Sequence, residues 1–301
     1  MTEKNSYILS RYLNFLKKQE VLGEPFYDKV GQFKKFYLPI SKIIYEFFNK
    51  KKSTIIIGIS GGQGSGKSTI TNILKLILKK KYSLTVSNFS IDDFYKTRKI
   101  RKKMSKNIHP LFMTRGVPGT HDIKLVINCL KSLKKRSFKK ISIPRFDKAS
   151  DDRLIKKKWT TIKKKPDVVI FEGWCVSARP QSDKKLKKPI NSLEKDFDKD
   201  LFWRRTVNLE LKNNYKKAFK LIDKKIFLKV PNFSYVFKWR KLQERKLKFK
   251  SSGKNIMSNT QIKKFIMFYE RITKQMIKDL KHNDIVISLD KNHRLYKIAL
   301  N

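Results

Sequence analysis

Residues Gly61-Gly62-Gln63-Gly64-Ser65-Gly66-Lys67-Ser68 carry the spacing Gly-x-x-x-x-Gly-Lys-Ser between an apolar run, Ile55-Ile56-Ile57-Gly58-Ile59, and a helix-like run from Ile70 to Leu78. Glycines so spaced let successive backbone N–H groups turn inward around phosphate oxygens, and the helix that follows points its positive end at them. Lys67 then reaches the outer phosphates of a nucleoside triphosphate, and the Ser68 hydroxyl is placed to hold a magnesium ion. The competing reading is a glycine-rich turn that binds nothing. It leaves the lysine and the serine at these two places unexplained.

Further clusters follow at the ends of other apolar runs. Ser90-Ile91-Asp92-Asp93-Phe94-Tyr95 offers paired carboxylates, of which Asp92 is the candidate base for an acceptor hydroxyl. The bland alternative for the pair is a cap on the next turn. Arg115-Gly116-Val117-Pro118-Gly119-Thr120-His121-Asp122 is a loop that can bring Arg115 and His121 over a small anionic acceptor, with Asp122 capping the next helix; a guanidinium matches a carboxylate in two parallel hydrogen bonds. His121 taken alone reads as structural. Pro144-Arg145-Phe146-Asp147-Lys148 adds Arg145 and Lys148 as acceptor ligands. Val168-Val169-Ile170-Phe171-Glu172-Gly173-Trp174 ends a strand-like run in a carboxylate, so Glu172 joins Ser68 as a metal ligand, directly or through water. Lys238, Arg240, Lys241, Arg245 and Lys246 make a basic helix that can close over phosphates, or merely a solvated basic face.

The elements that must position these residues alternate. Strand-like runs at Thr54–Ser60, Leu84–Ile91, Ile141–Ile143, Val168–Phe171, Lys225–Val230 and Ile285–Ser288 are interleaved with helical spacing at Ser68–Lys80, Ile123–Leu133, Tyr215–Leu221, Phe233–Phe249 and Thr260–Leu280. Such alternation predicts a parallel sheet covered by helices on both faces, an α/β three-layer fold with its ligands at the carboxyl ends of the strands. Residues 1–50 read as a helical N-terminal extension packed on a core of 51–301, the two forming a single domain overall, and Lys184–Asp200 reads as a polar surface excursion.

The chain has 301 residues and a formal charge of +48, from 73 Lys and Arg against 25 Asp and Glu. So basic a chain suggests a polyanionic partner. The lysines, however, are scattered in pairs and triplets instead of forming one stripe with interleaved aromatics, so no specific nucleic acid is expected. No run approaches the roughly 18 apolar residues that span a bilayer. The start of the chain, with Glu3, Arg11, Lys17, Lys18 and Glu20, lacks the apolar centre of a secretion signal. A soluble cytoplasmic protein with no membrane partner is the expectation. Two cysteines, Cys129 and Cys175, lack the spacing of a disulfide framework or metal site.

The ordered set Gly61 to Thr69, Ser90 to Tyr95, Arg115 to Asp122, Pro144 to Lys148, Glu172-Gly173-Trp174-Cys175, Trp203-Arg204 and Trp239-Arg240 to Glu244 resembles the D-glycerate 3-kinases of the plant and bacterial type. These lie within the wider P-loop group containing phosphoribulokinase, uridine kinase and pantothenate kinase. The resemblance runs from about Tyr37 to the C-terminus. It implies the P-loop NTPase fold and ATP-dependent, magnesium-dependent phosphorylation of the 3-hydroxyl of D-glycerate, giving 3-phosphoglycerate. It implies ATP binding by Gly61 to Thr69, the catalytic pair Asp92 and Lys67, and acceptor binding around Asp93, Tyr95, Arg115, His121, Arg145 and Lys148. Uridine or pantothenate as acceptor, and a nucleic-acid-binding NTPase, are the alternatives. Two places depart from the family pattern: Ala149-Ser150-Asp151-Asp152-Arg153 replaces a longer glycine-rich segment, and Ser177 stands where glycine is usual.

Overall fold

Ile55, Ile57 and Ile59 point to one side of the first strand and Ile56 to the other, and all four are fully buried. A strand with no exposed face must be sandwiched between two helical layers. The computed structural model, which describes residues 3–20, 25–250 and 257–301, has that arrangement. In chain order the strands are β1 (Ile55–Gly61), β2 (Val86–Ser90), β3 (Ile141–Ile143), β4 (Phe146–Asp147), β5 (Asp152–Arg153), β6 (Thr160–Ile162), β7 (Val168–Glu172), β8 (Lys224–Lys229), β9 (Ile285–Leu289) and β10 (Leu295–Leu300). The central sheet has the order β10-β9-β8-β1-β7-β2; its pairs are parallel except for β10, which turns back antiparallel on β9.

The odd isoleucines of β1 join a core with the helices Glu3–Gln19, Leu38–Lys51 and Lys67–Tyr82. Ile56 and Phe171 face a second core, built on the helices Ile123–Lys134, Phe202–Glu210 and Asn259–Lys278. Register brings the strand exits together: Glu172 of β7 pairs with Ile59 of β1 on one side and Ser90 of β2 on the other. The phosphate-binding loop, Glu172 and Asp92 therefore emerge from three neighbouring strands, at the carboxyl edge where α/β sheets bind ligands.

The structure corrects the sequence expectations in three places. Ile141–Ile143 is a strand but not one of the central sheet; it pairs antiparallel with β6 in a two-stranded ribbon. Only Ile143 of the three is buried, too little for a strand enclosed on both faces. Lys184–Asp200 is no simple surface excursion. It forms short helices, Asp183–Lys187 and Ser192–Phe197; Glu194 in the second and Asp198 just after it are 1% exposed and paired with Arg271 and Arg204. The reversing strand β10 and the helix Arg98–Asn107 were not anticipated.

Candidate active site

The loop after β1 is shaped by its glycines. Gly64 has φ +78°, and a Cβ there would lie 2.8 Å from Cβ of Trp239, so both backbone and packing require glycine. Lys67 opens the helix Lys67–Tyr82 and turns back, donating to the carbonyls of Gly61 and Gly62 at 3.0 Å each. Burial lowers the pKa of its ammonium, with the Glu172 and Asp92 carboxylates opposing. The Gln63 amide and the Ser65 hydroxyl are buried polar groups without protein partners. Buried polar groups left so are costly unless something else binds them. Ser68 Oγ donates to Glu172 Oε1 at 3.1 Å, which sets two hard oxygen donors side by side at the mouth of the loop. Burial raises the Glu172 carboxyl above its ordinary pKa, with Lys67 opposing.

Asp92 stands at the exit of β2 and is fixed through both oxygens. The Tyr95 hydroxyl donates to Oδ1 at 2.9 Å, and Lys148 Nζ lies 3.3 Å from Oδ2. Burial works against its charge, but the Lys148 ammonium and the Tyr95 bond outweigh it and hold the carboxyl below its usual value. Asp93 has a different job. With Ser90 it closes a capping box on the short turn Ile91–Phe94, accepting from Ser90 N at 3.2 Å, and it pairs with Arg145 at 3.3 Å. Burial raises its carboxyl, with Arg145 opposing.

Arg115 reaches the same wall, its guanidinium 5.4 Å above the Phe146 ring. Its loop is pinned from behind: Trp174 Nε1 donates to Gly116 O at 3.0 Å, and Tyr269 packs where a Cβ on Gly116 would fall 2.2 Å from its hydroxyl oxygen. Asp122 caps the helix Ile123–Lys134, as expected. His121 does not reach the cleft. It is 2% exposed, stacked behind Tyr95 with centroids 4.5 Å apart and 2.6 Å from the Tyr215 hydroxyl, and burial lowers its pKa to about 3, so it is neutral.

One cleft of about 1330 Å³ joins these parts. Residues 63–69, Asp92, Asp93, Tyr95, Arg115, Arg145, Lys148, Glu172 and Arg240 all line it; Gly61 and Gly62 contribute carbonyls beneath, and Arg245 lies outside the lining. Arg240 is paired with Glu244 one turn along its own helix. Beyond Ser68 the cleft continues between Phe26, Tyr27 and Tyr37 of the N-terminal extension and the β9–β10 turn. Gln32 joins these two walls, donating to Leu295 O at 2.9 Å and accepting from Leu295 N at 3.0 Å. Trp239 and His293, which stack at 4.1 Å with a 9° interplanar angle, roof the phosphate loop. Burial lowers the His293 pKa to about 4, so this ring is also neutral. Sequence reasoning missed His293 and the wholly buried Arg101, which no local motif marks; Asp151 stood out only as part of the departing segment Ala149–Arg153, with no role of its own.

The arrangement can hold a polyphosphate at the loop, a divalent cation at Ser68 and Glu172, and a small anion beside Asp92. Comparison with known proteins places the chain among kinases. Residues 56–190 match the model of the phosphoribulokinase / uridine kinase family. An uncharacterized kinase of Schizosaccharomyces pombe, mug58, is 35% identical over 222 residues, 71% of this chain and 78% of that one. The chloroplastic D-glycerate 3-kinase of Arabidopsis thaliana is 31% identical over 227 residues, 71% of this chain but 46% of the plant protein, so the likeness spans about half of that relative. Among solved structures, D-glycerate 3-kinase from Cryptococcus neoformans var. grubii superposes with a TM-score of 0.74 at 26% identity, covering 88% of this chain and 99% of that one.

Proposed function

The chain belongs to the phosphoribulokinase / uridine kinase family of P-loop kinases, and from that premise we propose that it transfers the terminal phosphoryl group of ATP to the 3-hydroxyl of D-glycerate, giving 3-phosphoglycerate. The observation that carries the acceptor assignment is the wall around Asp92, an ionised carboxylate that shares the cleft lining with Arg115, Arg145 and Lys148. A hydroxy acid suits both features: its carboxylate meets a guanidinium, its hydroxyl meets Asp92.

In this reading the loop amides and Lys67 bind the donor phosphates, Lys67 exchanging its two carbonyl partners for phosphate oxygens. Asp92, oriented by Tyr95, accepts the hydroxyl proton as that oxygen attacks the terminal phosphorus in line and the bond to the bridging oxygen of ADP breaks. Ser68 and Glu172 fit magnesium, since both are oxygen donors and lie 3.1 Å apart. A bound magnesium ion supplies charge neutralisation on the phosphates. Trp239 and His293 keep water from the loop, and Arg240, on the helix that lines the cleft, is a cation that closure of that helix would bring to the phosphates. The aromatic side chains of the extension suit the base of the nucleotide, which makes residues 1–50 and 51–301 parts of one functional unit. A cytoplasmic location belongs to the same reading, supported by two buried, unpaired thiols, Cys129 and Cys175.

The test is ADP release by the purified protein with ATP and magnesium over D-glycerate, L-glycerate, uridine, pantothenate and ribulose 5-phosphate. D-Glycerate alone should stimulate, with 3-phosphoglycerate as the product. Stimulation by uridine or pantothenate instead would replace the acceptor while leaving the donor site as described.

A further inference from the structure

The cations we assign to the acceptor already have carboxylate partners within the chain. Arg145 pairs with Asp93, Lys148 with Asp92, and Arg115 with Asp151. An incoming anion must therefore take one cation from an internal acid. Asp92 is tied to Tyr95 and reserved for the hydroxyl, and Asp93 closes the cap on the turn after β2. Asp151 does neither.

Its position is unusual. Asp151 sits in the turn between β4 and β5 with φ +55°, a left-handed conformation, and its side chain is 29% exposed at the cleft wall. One carboxylate oxygen faces Arg115 Nη1 and the other lies 2.9 Å from Arg101 Nη2. Arg101 is wholly buried, and its remaining bonds run to main-chain carbonyls: Asp151 O at 2.6 Å, Met113 O at 2.7 Å and Lys96 O at 3.3 Å. Two guanidiniums thus converge on one carboxylate at the place where a hydroxy acid would present its own.

We propose that Asp151 is a built-in stand-in for the carboxylate of the acceptor: binding exchanges one carboxylate for another on Arg115, while the buried Arg101 keeps hold of Asp151 through its main-chain O and its second carboxylate oxygen. The proposal rests on the hydroxy-acid reading above. Its logic is electrostatic. A partly buried guanidinium without a counter-ion is costly, so the empty cleft is stabilised by supplying one from within. A neutral acceptor that displaced Asp151 would leave Arg115 unpaired, whereas an anionic one restores the pair. Asp151 therefore selects for acceptors with a carboxylate and weakens their apparent affinity, because each must compete with it.

Asp151→Asn and Asp151→Gly both suit a left-handed backbone and remove the charge; the first keeps an amide oxygen for the buried Arg101 and the second leaves it three main-chain carbonyls, so a failure of one to fold leaves the other usable. In steady-state assays of the full chain the KM for D-glycerate should fall about fivefold in either variant, relative to the KM for ATP. Calorimetric titration with lactate, which has the carboxylate but no 3-hydroxyl, should give a similarly tighter Kd. A wild-type protein that does not phosphorylate glycerate removes the assigned substrate, and the lactate titration still decides the exchange. An unchanged or raised KM and Kd in both variants would overturn it and make Asp151 an orienting partner of Arg115, as would lactate binding to none of the three proteins.

Discussion

Asp92 is held through both oxygens, one by Tyr95 and one by Lys148, so its orientation is decided before any acceptor arrives. Removing its charge while keeping its shape separates chemistry from donor binding. Asp92→Asn should bind a fluorescent ATP analogue as the wild type does while kcat falls by about a hundredfold or more; unchanged turnover would remove Asp92 from its role. Lys67→Ala should lose on both counts, because Lys67 is the cation at the loop itself and its partners there are neutral carbonyls. Glu172 gives a pH signature. Burial raises its pKa, so the carboxyl gains its proton above the ordinary carboxylate range as pH falls. Only the ionised form binds a cation well. The magnesium concentration needed for half-maximal rate should therefore rise as pH drops through that raised range, and Glu172→Gln, which cannot ionise, should need more magnesium at every pH with a flatter profile. A wild-type requirement that does not vary with pH would count against Glu172 as a ligand.

At the scale of elements, the phosphate loop is braced from outside by the helix Phe233–Lys250 and by the β9–β10 turn. Trp239 packs against Gly64, and His293 stacks on Trp239. Gly64→Ala must both adopt φ +78° and push Trp239 away, at a cost of about 1–3 kcal/mol. It should lower the thermal midpoint and weaken ATP binding together; a normal nucleotide affinity would show that the brace is not needed. Gln32 ties the extension to the start of β10 through two bonds from its side-chain amide to the Leu295 backbone, across 263 residues of sequence. Gln32→Ala should cost about 1–2 kcal/mol of stability, by loss of two hydrogen bonds in a partly buried place, and should raise the KM for ATP more than that for the acceptor. These braces join elements far apart in the chain, and no pattern of local spacing could announce them. The misplaced strand β3 has a related cause. A three-residue apolar run carries no information about its partner, and β6 lies nearly twenty residues further on, as the Ser142–Thr161 side-chain contact records.

For the whole molecule the salient quantity is a net charge of +48. Many of its carboxylates are taken up by internal pairs such as Asp198 with Arg204 and Glu194 with Arg271, so the excess is a surplus of lysine distributed over the surface. Retention on immobilised RNA should be weak, lost between roughly 50 and 200 mM salt, and without effect on ATP hydrolysis; RNA-stimulated hydrolysis would favour the NTPase alternative. No helix among the described residues is long and apolar enough to cross a membrane. What the sequence determined by itself is the donor half of the site and the layered sheet. Gly61 to Ser68, the apolar strands and the carboxylates at their ends are local signals, and a parallel sheet necessarily gathers its strand exits on one edge. Only the tertiary structure decided how the charges are spent: that Asp93 caps a turn while Asp92 is held by Tyr95 and Lys148, that His121 hides behind Tyr95, and that Asp151 occupies Arg115. Asp92 and Asp93 are adjacent and identical in type, as are many of the lysines and arginines in this chain. Which of them does chemistry depends on burial and on partners brought together from 36 or 52 residues away, as for Arg115 with Asp151 and Arg145 with Asp93. Those contacts exist only once the sheet and its helices have closed around them.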